Sequence, residues 1–320
     1  MNFGFTDEQV ALGATVRDVL RAHCPPAALR AERRPAWEQL AALGFFGLLL
    51  PPEADGLGLG LVDVLPALEE TGRACLPGPV VETAVVAPYL VAGVPKLASG
   101  AVCVSVLPPG QAYVPDADLA DLLIVARPGG LRLVAAESVR LEPRAGADPC
   151  RPLFEVSFEE SEELGGSPVA ALRRATVATA AQLVGVARGL LEVTVGYARV
   201  RTQFGAAIGS FQAVKHQLAD VAVAADFAAP LVYRAALAVD RPTGTAERDV
   251  SAAKAAAGEA AVLAARVALQ VHGAIGYTEE LDLRFWLARA WSLSAAYGTT
   301  AAHRERLRTA IIGGDLRRYP

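Results

Sequence analysis

Four long, alanine-rich stretches with apolar residues at helical spacing fill the C-terminal half of the chain, and they constrain its fold more than any other feature. They run near residues 168–200, 210–240, 245–272 and 279–312. The spacing predicts helices that each bury one face, and Ser210 stands where it could cap the second helix. Because only short loops separate them, we expect a four-helix bundle over residues 168–320.

Two regions with different sequence patterns precede the bundle. Residues 1–97 are predicted to be a helical domain. Its helices are expected over residues 6–23, 36–43 and 63–73, with Thr6 and Asp63 as their caps. Residues 98–167 form a small β domain, because short β-type runs alternate there with Pro-Gly turns. Its predicted strands span residues 102–107, 122–126, 131–135 and 154–158. The predicted fold class is therefore α+β, mostly α, in the order α–β–α.

Composition excludes several functional classes. Hydrophobic residues make up 53% of the chain and charged residues 20%, which excludes a disordered chain. The net charge of −4, with both signs spread along the sequence, gives no basic face for nucleic acid. The four cysteines form no CxxC pair, so free thiols in the cytoplasm are expected and a metal site is not. We read no secretory signal after Met1 and no uncharged apolar run of about 18 residues, so we expect no membrane span.

Two segments between the predicted bundle helices could approach a ligand. Residues 201–205, Arg-Thr-Gln-Phe-Gly, combine a cation, an amide and a flexible glycine in one loop, although a plain interhelix turn explains them equally. Residues 270–278 end a helix with two glycines, which also fits an ordinary glycine C-cap. His272 lies in this segment without the partners of a metal site. A dinucleotide loop, a phosphate loop and a nucleophile elbow are all absent from the sequence.

Both segments resemble the acyl-CoA dehydrogenase family. The first continues into residues 209–216, Gly-Ser-Phe-Gln-Ala-Val-Lys-His, and its spacing from residues 270–278 matches the family. Residues 5–9 and 43–47 also fit, so the resemblance covers nearly the whole chain. It implies an N-terminal helical domain, a middle β domain and a C-terminal four-helix bundle. It also implies FAD bound at a subunit interface, a glutamate that takes the α-proton of an acyl-CoA, and a flavin that takes the β-hydride.

The resemblance assigns one group of residues to the FAD of a neighbouring subunit. They would hold its pyrophosphate and adenine side, with Arg201 forming charge-assisted hydrogen bonds to phosphate. The first part of this predicted FAD clamp is Arg201, Gln203, Phe204 and Gln212, and the second part is Gln270, Gly273 and Ala274.

The family's catalytic base is not matched. Alignment on Gly298 and Thr299 puts Tyr297 in the usual glutamate position, and a phenol with a pKa near about 10 is a poor base. The second base position used in the family falls at Ala175. Glu192 and Glu305 are interpreted as solvated helix residues, so the catalytic residue stays unknown. The middle domain also lacks the family's Thr-Glu-Pro loop and Trp-Ile-Thr strand, which predicts a defective flavin-ring site.

Three functional hypotheses follow. In the first, the chain resembles the short subunits of actinobacterial α2β2 acyl-CoA dehydrogenases, which act on CoA thioesters of steroid side chains or rings. It would complete its site with a partner chain and pass electrons to an acceptor such as an electron-transfer flavoprotein. In the second, it is a homo-oligomeric flavoenzyme with altered chemistry, an oxidase or a monooxygenase. In the third, it is a scaffold subunit that binds no flavin. The acyl chain, the acceptor and the source of the base stay open.

Overall fold

The computed structural model describes residues 4–241 and 244–312. Expectations that fall on residues 1–3, 242–243 and 313–320 lie outside this part of the chain. Helices at both ends enclose a small β unit, so the predicted fold class, α+β and mostly α, is confirmed.

The N-terminal unit is built from short helices that pack on the bundle. They are α1 (Asp7–His23), α2 (Pro26–Ala31), α3 (Trp37–Ala42) and α4 (Leu61–Arg73). Thr6 caps α1 as predicted: its Oγ1 accepts from the N–H of Gln9 at 3.3 Å, and Gln9 Oε1 accepts from the N–H of Thr6 at 2.8 Å. The prediction of Asp63 as the cap of α4 is wrong. Gly60 is the cap residue, and Asp63 lies inside the first turn, where its Oδ2 accepts from the Gly60 N–H at 2.8 Å.

One N-terminal segment was not predicted. A π-helical turn (Glu82–Val86) leads into α5 (Ala87–Leu90) and connects the helices to the β unit. All five residues of the turn are buried, including the carboxylate of Glu82. π-Turns are rare and concentrate at functional sites, and this one places a charged side chain in the interior.

The middle unit consists of two small sheets. The seven strands are β1 (Val104–Leu107), β2 (Val114–Pro115), β3 (Leu122–Arg127), β4 (Gly130–Ala135), β5 (Val139–Arg144), β6 (Leu153–Phe158) and β7 (Glu162–Leu164). One sheet has the order β1-β3-β4-β7, with β1 and β3 parallel, and the other has the order β2-β6-β5. The four predicted strands are present. The prediction missed β5 because its side chains are mostly polar and exposed, so it carries no apolar run.

The C-terminal unit contains α6 (Pro168–Val200), α7 (Gln212–Asp240) and α8 (Ala246–His272). The predicted fourth helix over residues 279–312 is wrong as one element: it is divided into α9 (Leu283–Ala295) and α10 (Thr300–Ile312). The division falls where Tyr297 and Gly298 have φ of 55° and 113°, outside any right-handed helix. Ser210 does not cap α7. Its Oγ donates to the carbonyl of Ala207 at 2.7 Å, and the helix begins at Gln212.

Close packing fixes the N-terminal helices on the bundle. A Cβ at Gly72 of α4 would overlap the carbonyl of Gln182, and one at Gly185 of α6 would overlap the carbonyl of Glu69. Glycine at these two crossing points lets the backbones of α4 and α6 touch. The side-chain amide of Gln182 donates to Thr71 Oγ1 at 3.0 Å across this contact. The face of α6 that carries Ala175 is therefore fixed by packing.

Three helices of the described chain are long and apolar enough to cross a membrane by length and composition alone. They are α6, α7 and the stretch Ala246–Tyr277. The expectation of no membrane span stays a prediction, because length and composition alone do not place a helix in a membrane. The fold covers their apolar windows unequally: 78% of the window in α6 is buried, against 44% in α7.

Candidate functional site

The two predicted parts of the FAD clamp lie side by side at one end of the bundle. Tyr197, one turn before the end of α6, stacks on His272, the last residue of α8, with ring centroids 4.2 Å apart. This contact brings the loop after α6 next to the turn after α8. Residues that are about seventy positions apart in sequence therefore share one surface.

The α6–α7 loop presents exposed side chains on a fixed backbone, although the Gln203 amide donates to the carbonyl of Thr202 at 2.8 Å. A short hairpin pairs Thr202–Gln203 with Ala206–Ala207, and its tip has left-handed φ at Phe204 (53°) and Gly205 (79°). Arg201, Gln203, Phe204 and Gln212 are all exposed, Phe204 to 92%. Within the described residues, the Arg201 guanidinium makes no hydrogen bond or ion pair, while its backbone N–H donates to Tyr197 at 2.9 Å. A free cation on an ordered loop suits a phosphate that comes from outside the chain.

The turn after α8 has the same exposed character. Gln270, Gly273 and Ala274 face solvent, and Gly273 adopts a φ of 66°, which favours glycine. His272 beside them is buried, and its Nδ1 lies 2.8 Å from the carbonyl of Ala268. Burial lowers the pKa of His272, so the ring is a neutral packing group at pH 7. Among the described residues no cluster of three His, Cys, Asp or Glu could hold a metal.

The two family base positions lie in the interior, and neither carries a carboxylate. Ala175 is 1% exposed and Tyr297 is 5% exposed. The Tyr297 hydroxyl donates to Oε1 of Glu82, from the π-helical turn, at 2.5 Å. Burial, reinforced by the nearby Glu82 carboxylate, raises the pKa of the Tyr297 phenol well above its ordinary value. The phenol therefore stays protonated and serves as a hydrogen-bond donor, so it is not a base.

Two small cavities touch the base slot, which we define as Tyr297, Ala175 and Glu82. An apolar cavity of about 20 Å³ touches Tyr297 and Ala175, and a polar one of about 10 Å³ touches Tyr297 and Glu82. The polar cavity also meets Thr179, whose buried Oγ1 has no hydrogen-bond partner in the described structure. One water needs about 10–15 Å³, whereas ligand pockets measure about 300–1,000 Å³. A flavin ring or an acyl thioester does not fit in this slot.

Two buried side chains from neighbouring helices hold the turn that carries Tyr297. Lys254 of α8 is fully buried, and its Nζ donates to the carbonyls of Ser294 and Gly298, both at 3.0 Å. His303 of α10 lies 3.1 Å from the carbonyl of Tyr297 through Nε2. Burial lowers the pKa of Lys254 to about 7 and that of His303 to about 4. Glu82 of the N-terminal unit therefore closes the base slot, and Lys254 and His303 of the bundle hold the turn that carries Tyr297.

Sequence reasoning missed Glu82 and Lys254. Each gives a weak signal, since each is a lone charged residue in an otherwise apolar run at core-facing positions. Glu192 and Glu305 behave as solvated helix residues: Glu192 pairs with Arg73 at 3.0 Å, and Glu305 pairs with Arg308 on the surface.

A larger cavity, of about 630 Å³, lies away from the base slot. It is an open groove between α2, the loop at residues 147–150 and α9. Its rim carries ion pairs of Arg30 with Asp282 and of Arg284 with Glu279. Its position beside Gly276 and Tyr277 makes it a neighbour of the clamp surface and not a part of the closed slot.

An α–β–α fold whose helical bundle ends in an exposed, phosphate-compatible surface is compatible with a flavin-dependent dehydrogenase. The family models agree: residues 6–97 match the acyl-CoA dehydrogenase N-terminal domain, and residues 168–312 match the acyl-CoA dehydrogenase C-terminal domain. This chain belongs to the acyl-CoA dehydrogenase family. The predicted family, the oxidoreductase activity of an acyl-CoA dehydrogenase and FAD as its cofactor are confirmed.

Known proteins are similar over most of the chain. Acyl-CoA dehydrogenase IpdE2 of Mycobacterium tuberculosis is 35% identical over 300 residues, which cover 89% of this chain and 91% of that protein. A solved structure described as a Tcur3481–Tcur3483 steroid ACAD superposes with a TM-score of 0.87 at 26% identity, covering 96% of this chain and 98% of that one. The ChsE4–ChsE5 complex from Mycobacterium tuberculosis superposes with a TM-score of 0.84 at 22% identity, with complete coverage of both chains, and shows the shared fold.

Proposed function

We propose that this chain is a subunit of a heteromeric, FAD-dependent acyl-CoA dehydrogenase and that a partner chain supplies the catalytic base and the flavin-ring pocket. One observation carries the proposal: the residues that would grip a dinucleotide are exposed, and the Arg201 guanidinium has no partner among the described residues, while the slot that would hold ring and substrate is closed to about 20 Å³. A chain with this arrangement can bind the FAD in the active site of another chain, but it has no room for an active site of its own.

The clamp residues would act on the tail of FAD in the partner's site. The Arg201 guanidinium, which lacks a partner within the described chain, would bind the pyrophosphate through charge-assisted hydrogen bonds. Gln203 and Phe204 would border the tail from the same loop, with Gln212 beside them, and Gln270, Gly273 and Ala274 would border it from the second turn. FAD, when bound, supplies the acceptor for the β-hydride of the acyl-CoA. This chain contributes binding and orientation, because it places no carboxylate in either base position.

The relatives support a heteromer and a bulky substrate. Two of the similar solved structures are described with two chain names each, the Tcur3481–Tcur3483 steroid ACAD and the ChsE4–ChsE5 complex. We propose an α2β2 assembly that acts on the CoA thioester of a steroid-derived acid. We further propose an electron-transfer flavoprotein as the acceptor and the cytoplasm, where four free thiols persist, as the location.

Arg201→Ala in the assembled protein tests the proposal. The tagged chain is recovered from its native host with any bound protein, and flavin per complex is read from the absorbance near 450 nm. The substitution is expected to weaken FAD retention about 10- to 100-fold, the range for one hydrogen bond to a charged group. Arg199→Ala is the matched control, since Arg199 is also an exposed arginine and lies two residues earlier on α6.

The same preparation separates the competing functions. The purified chain alone is expected to be colourless and inactive, and the recovered pair to be yellow. A yellow, fully active homo-oligomer would contradict the proposal and favour a homomeric oxidase or monooxygenase. Unchanged flavin content in the Arg201→Ala pair would favour a scaffold that does not touch the cofactor.

A further inference from the structure

The C-terminal ends of α6 and α8 meet through two stacked rings. Tyr197 and His272 have ring centroids 4.2 Å apart and an interplanar angle of 24°. The His272 ring is buried, and Tyr197 is half-buried. A second ring pair at this end of the bundle, Phe204 with Phe211 at 6.2 Å, lies within the first part of the predicted clamp. The Tyr197–His272 stack, by contrast, joins the first part to the second.

Tyr197 holds the backbone of Arg201. Its carbonyl accepts the Arg201 N–H at 2.9 Å, and the Arg201 carbonyl accepts the N–H of Ile208 at 2.8 Å. The backbone of Arg201 is therefore held on both sides, while its side chain is exposed. A displacement of Tyr197 would move Arg201 through the first of these bonds.

His272 is fixed on the second part of the clamp in a similar way. Its Nδ1 lies 2.8 Å from the carbonyl of Ala268, and since a carbonyl only accepts, this nitrogen carries the proton and donates. A Cβ at Gly276 would lie 3.1 Å from the His272 Cβ, so the turn packs closely on this residue. The next residues along the chain are Gly273 and Ala274, which are exposed. The His272 ring and the turn after it therefore form one unit.

The stack fixes the separation of two surfaces that would bind one molecule. A ligand held at two points gains from the second contact only when the spacing of the two points fits it. Here one point is the Arg201 guanidinium and the other is the exposed turn at Gly273, and the stacked rings join the helix ends that bear them. Stacked aromatic pairs add stability beyond the area they bury, so this spacing is favoured before any ligand binds.

We propose that Tyr197 and His272 are positioning residues for the FAD tail: their stacked rings hold the Arg201 loop and the Gly273 turn at the separation that the tail requires. This inference rests on the proposed function and deepens it. Neither ring has to touch FAD, because each acts through the clamp residue beside it. The stacking of the rings, and not their polar atoms, carries the effect.

Removal of either ring tests the proposal. The assembled protein is freed of flavin and titrated with FAD. Tyr197→Ala and His272→Ala are each expected to weaken FAD binding about 3- to 10-fold, the contribution of one aromatic pair. Tyr197→Phe and His272→Phe keep a ring at each position, so both should bind FAD within about twofold of wild type.

Tyr89→Ala is the matched control. Tyr89 is also a partly exposed tyrosine with one ring contact, since the guanidinium carbon of Arg174 lies 4.9 Å from its ring centroid. Arg174 is in the first turns of α6, at the opposite end of that helix from Tyr197. This variant should therefore leave FAD binding unchanged.

A double-mutant cycle separates positioning from a general loss of structure. If the rings act through Arg201, Tyr197→Ala should add less than about twofold to the loss already caused by Arg201→Ala. Losses that multiply in the double variant would show that Tyr197 supports the fold and not the placement of Arg201, and would overturn the inference. Phenylalanine variants that lose as much affinity as the alanine variants would overturn it as well.

The outcomes distinguish this inference from the proposed function. If Arg201→Ala weakens FAD binding and Tyr197→Ala does not, the function stands and the positioning role is wrong. If Arg201→Ala itself leaves the affinity for FAD unchanged, the proposed function fails and the inference fails with it.

Discussion

The α6–α7 loop and the base slot are held by the same bundle, but they face opposite surroundings. The loop offers Arg201 and Phe204 to solvent, whereas the slot buries Tyr297 against Glu82 and leaves about 20 Å³ of free volume on its apolar side. In the first region the side chains are exposed and the backbone is ordered. In the second, nearly every polar group has a partner within the chain. In the proposed function, this difference separates the two tasks of a flavoenzyme, binding a cofactor and transforming a substrate.

The closed base slot also contributes to the stability of the fold. Tyr297, Lys254 and His303 connect α8, α9 and α10, and Glu82 connects them to the N-terminal unit. The slot has no room for a ligand, and contacts between the N-terminal unit and the bundle fill it. The exposed loop makes no comparable contribution to stability. We therefore expect substitutions in the slot to change the free energy of unfolding and substitutions in the loop to change binding.

The largest effect is expected from Tyr297→Glu, which restores the family's residue type. The new carboxyl would face Glu82 in a buried site, and two unpaired carboxylates there should cost about 3–5 kcal/mol of the free energy of unfolding. Urea denaturation of the purified chain measures this. We also expect no dehydrogenase activity from the variant chain, because the cavity is too small for substrate.

Tyr297→Phe is the control for that change. It keeps the ring and removes only the donor to Glu82, so a smaller cost of about 1–3 kcal/mol is expected. A Tyr297→Glu chain that is as stable as wild type and turns over an acyl-CoA by itself would show that the slot opens, and the contrast between the two regions would fail.

A moderate effect is expected from pH through Lys254. Its pKa is about 7 in the fold, against an ordinary value of 10.5 in the unfolded chain. Between these values the unfolded chain binds more protons, so the free energy of unfolding rises with pH from 7 towards 10.5. Lys254→Met removes the titrating amine and with it this pH dependence. From pH 7 to pH 9 the free energy of unfolding of the wild type should therefore rise relative to that of the variant.

The measurement is a set of urea curves for both proteins at pH 7, 8 and 9. Lys215→Met replaces an exposed lysine of α7 and should leave the pH dependence of wild type unchanged. If the difference between wild type and Lys254→Met is flat over this range, the ammonium is not held in a desolvated site and the slot is more open than described.

The smallest effect is expected from Glu192→Gln. Glu192 is a surface carboxylate paired with Arg73 at 3.0 Å, so its loss should change stability by less than about 1 kcal/mol. Flavin content and turnover of the recovered pair should stay at wild-type level. A fall in turnover of several orders of magnitude would identify Glu192 as a relocated base and would end the assignment of catalysis to the partner.

Local chemistry was readable from the sequence, and distant contacts were not. Arg201 and Gly273 stand in turns and Gln212 begins α7; their residue types follow a spacing along the chain, so motif reading found them and the fold placed them together. Their contact with FAD stays a prediction. The alignment on Gly298 put Tyr297 in the base slot, but its partner Glu82 is 215 residues away, and no periodicity links such positions.

The same limit explains the errors in secondary structure. Tyr297 adopts a left-handed φ that its residue type does not suggest, because Lys254 and His303 hold the turn from other helices. The division of residues 279–312 into α9 and α10 was therefore invisible to a helical pattern. β5 was missed for the opposite reason: it pairs with β6 through its backbone, and its side chains carry little apolar signal.

The contact between Tyr297 and Glu82 couples the residues that these two positions tolerate. Glutamate at position 297 would place two acids face to face, so the family's usual residue type is unfavourable here unless Glu82 is also changed. Loss of Glu82 alone, in turn, leaves the Tyr297 hydroxyl buried without its acceptor. Either single substitution should therefore lower stability, and only a paired change of both positions could admit a carboxylate at position 297 without that loss.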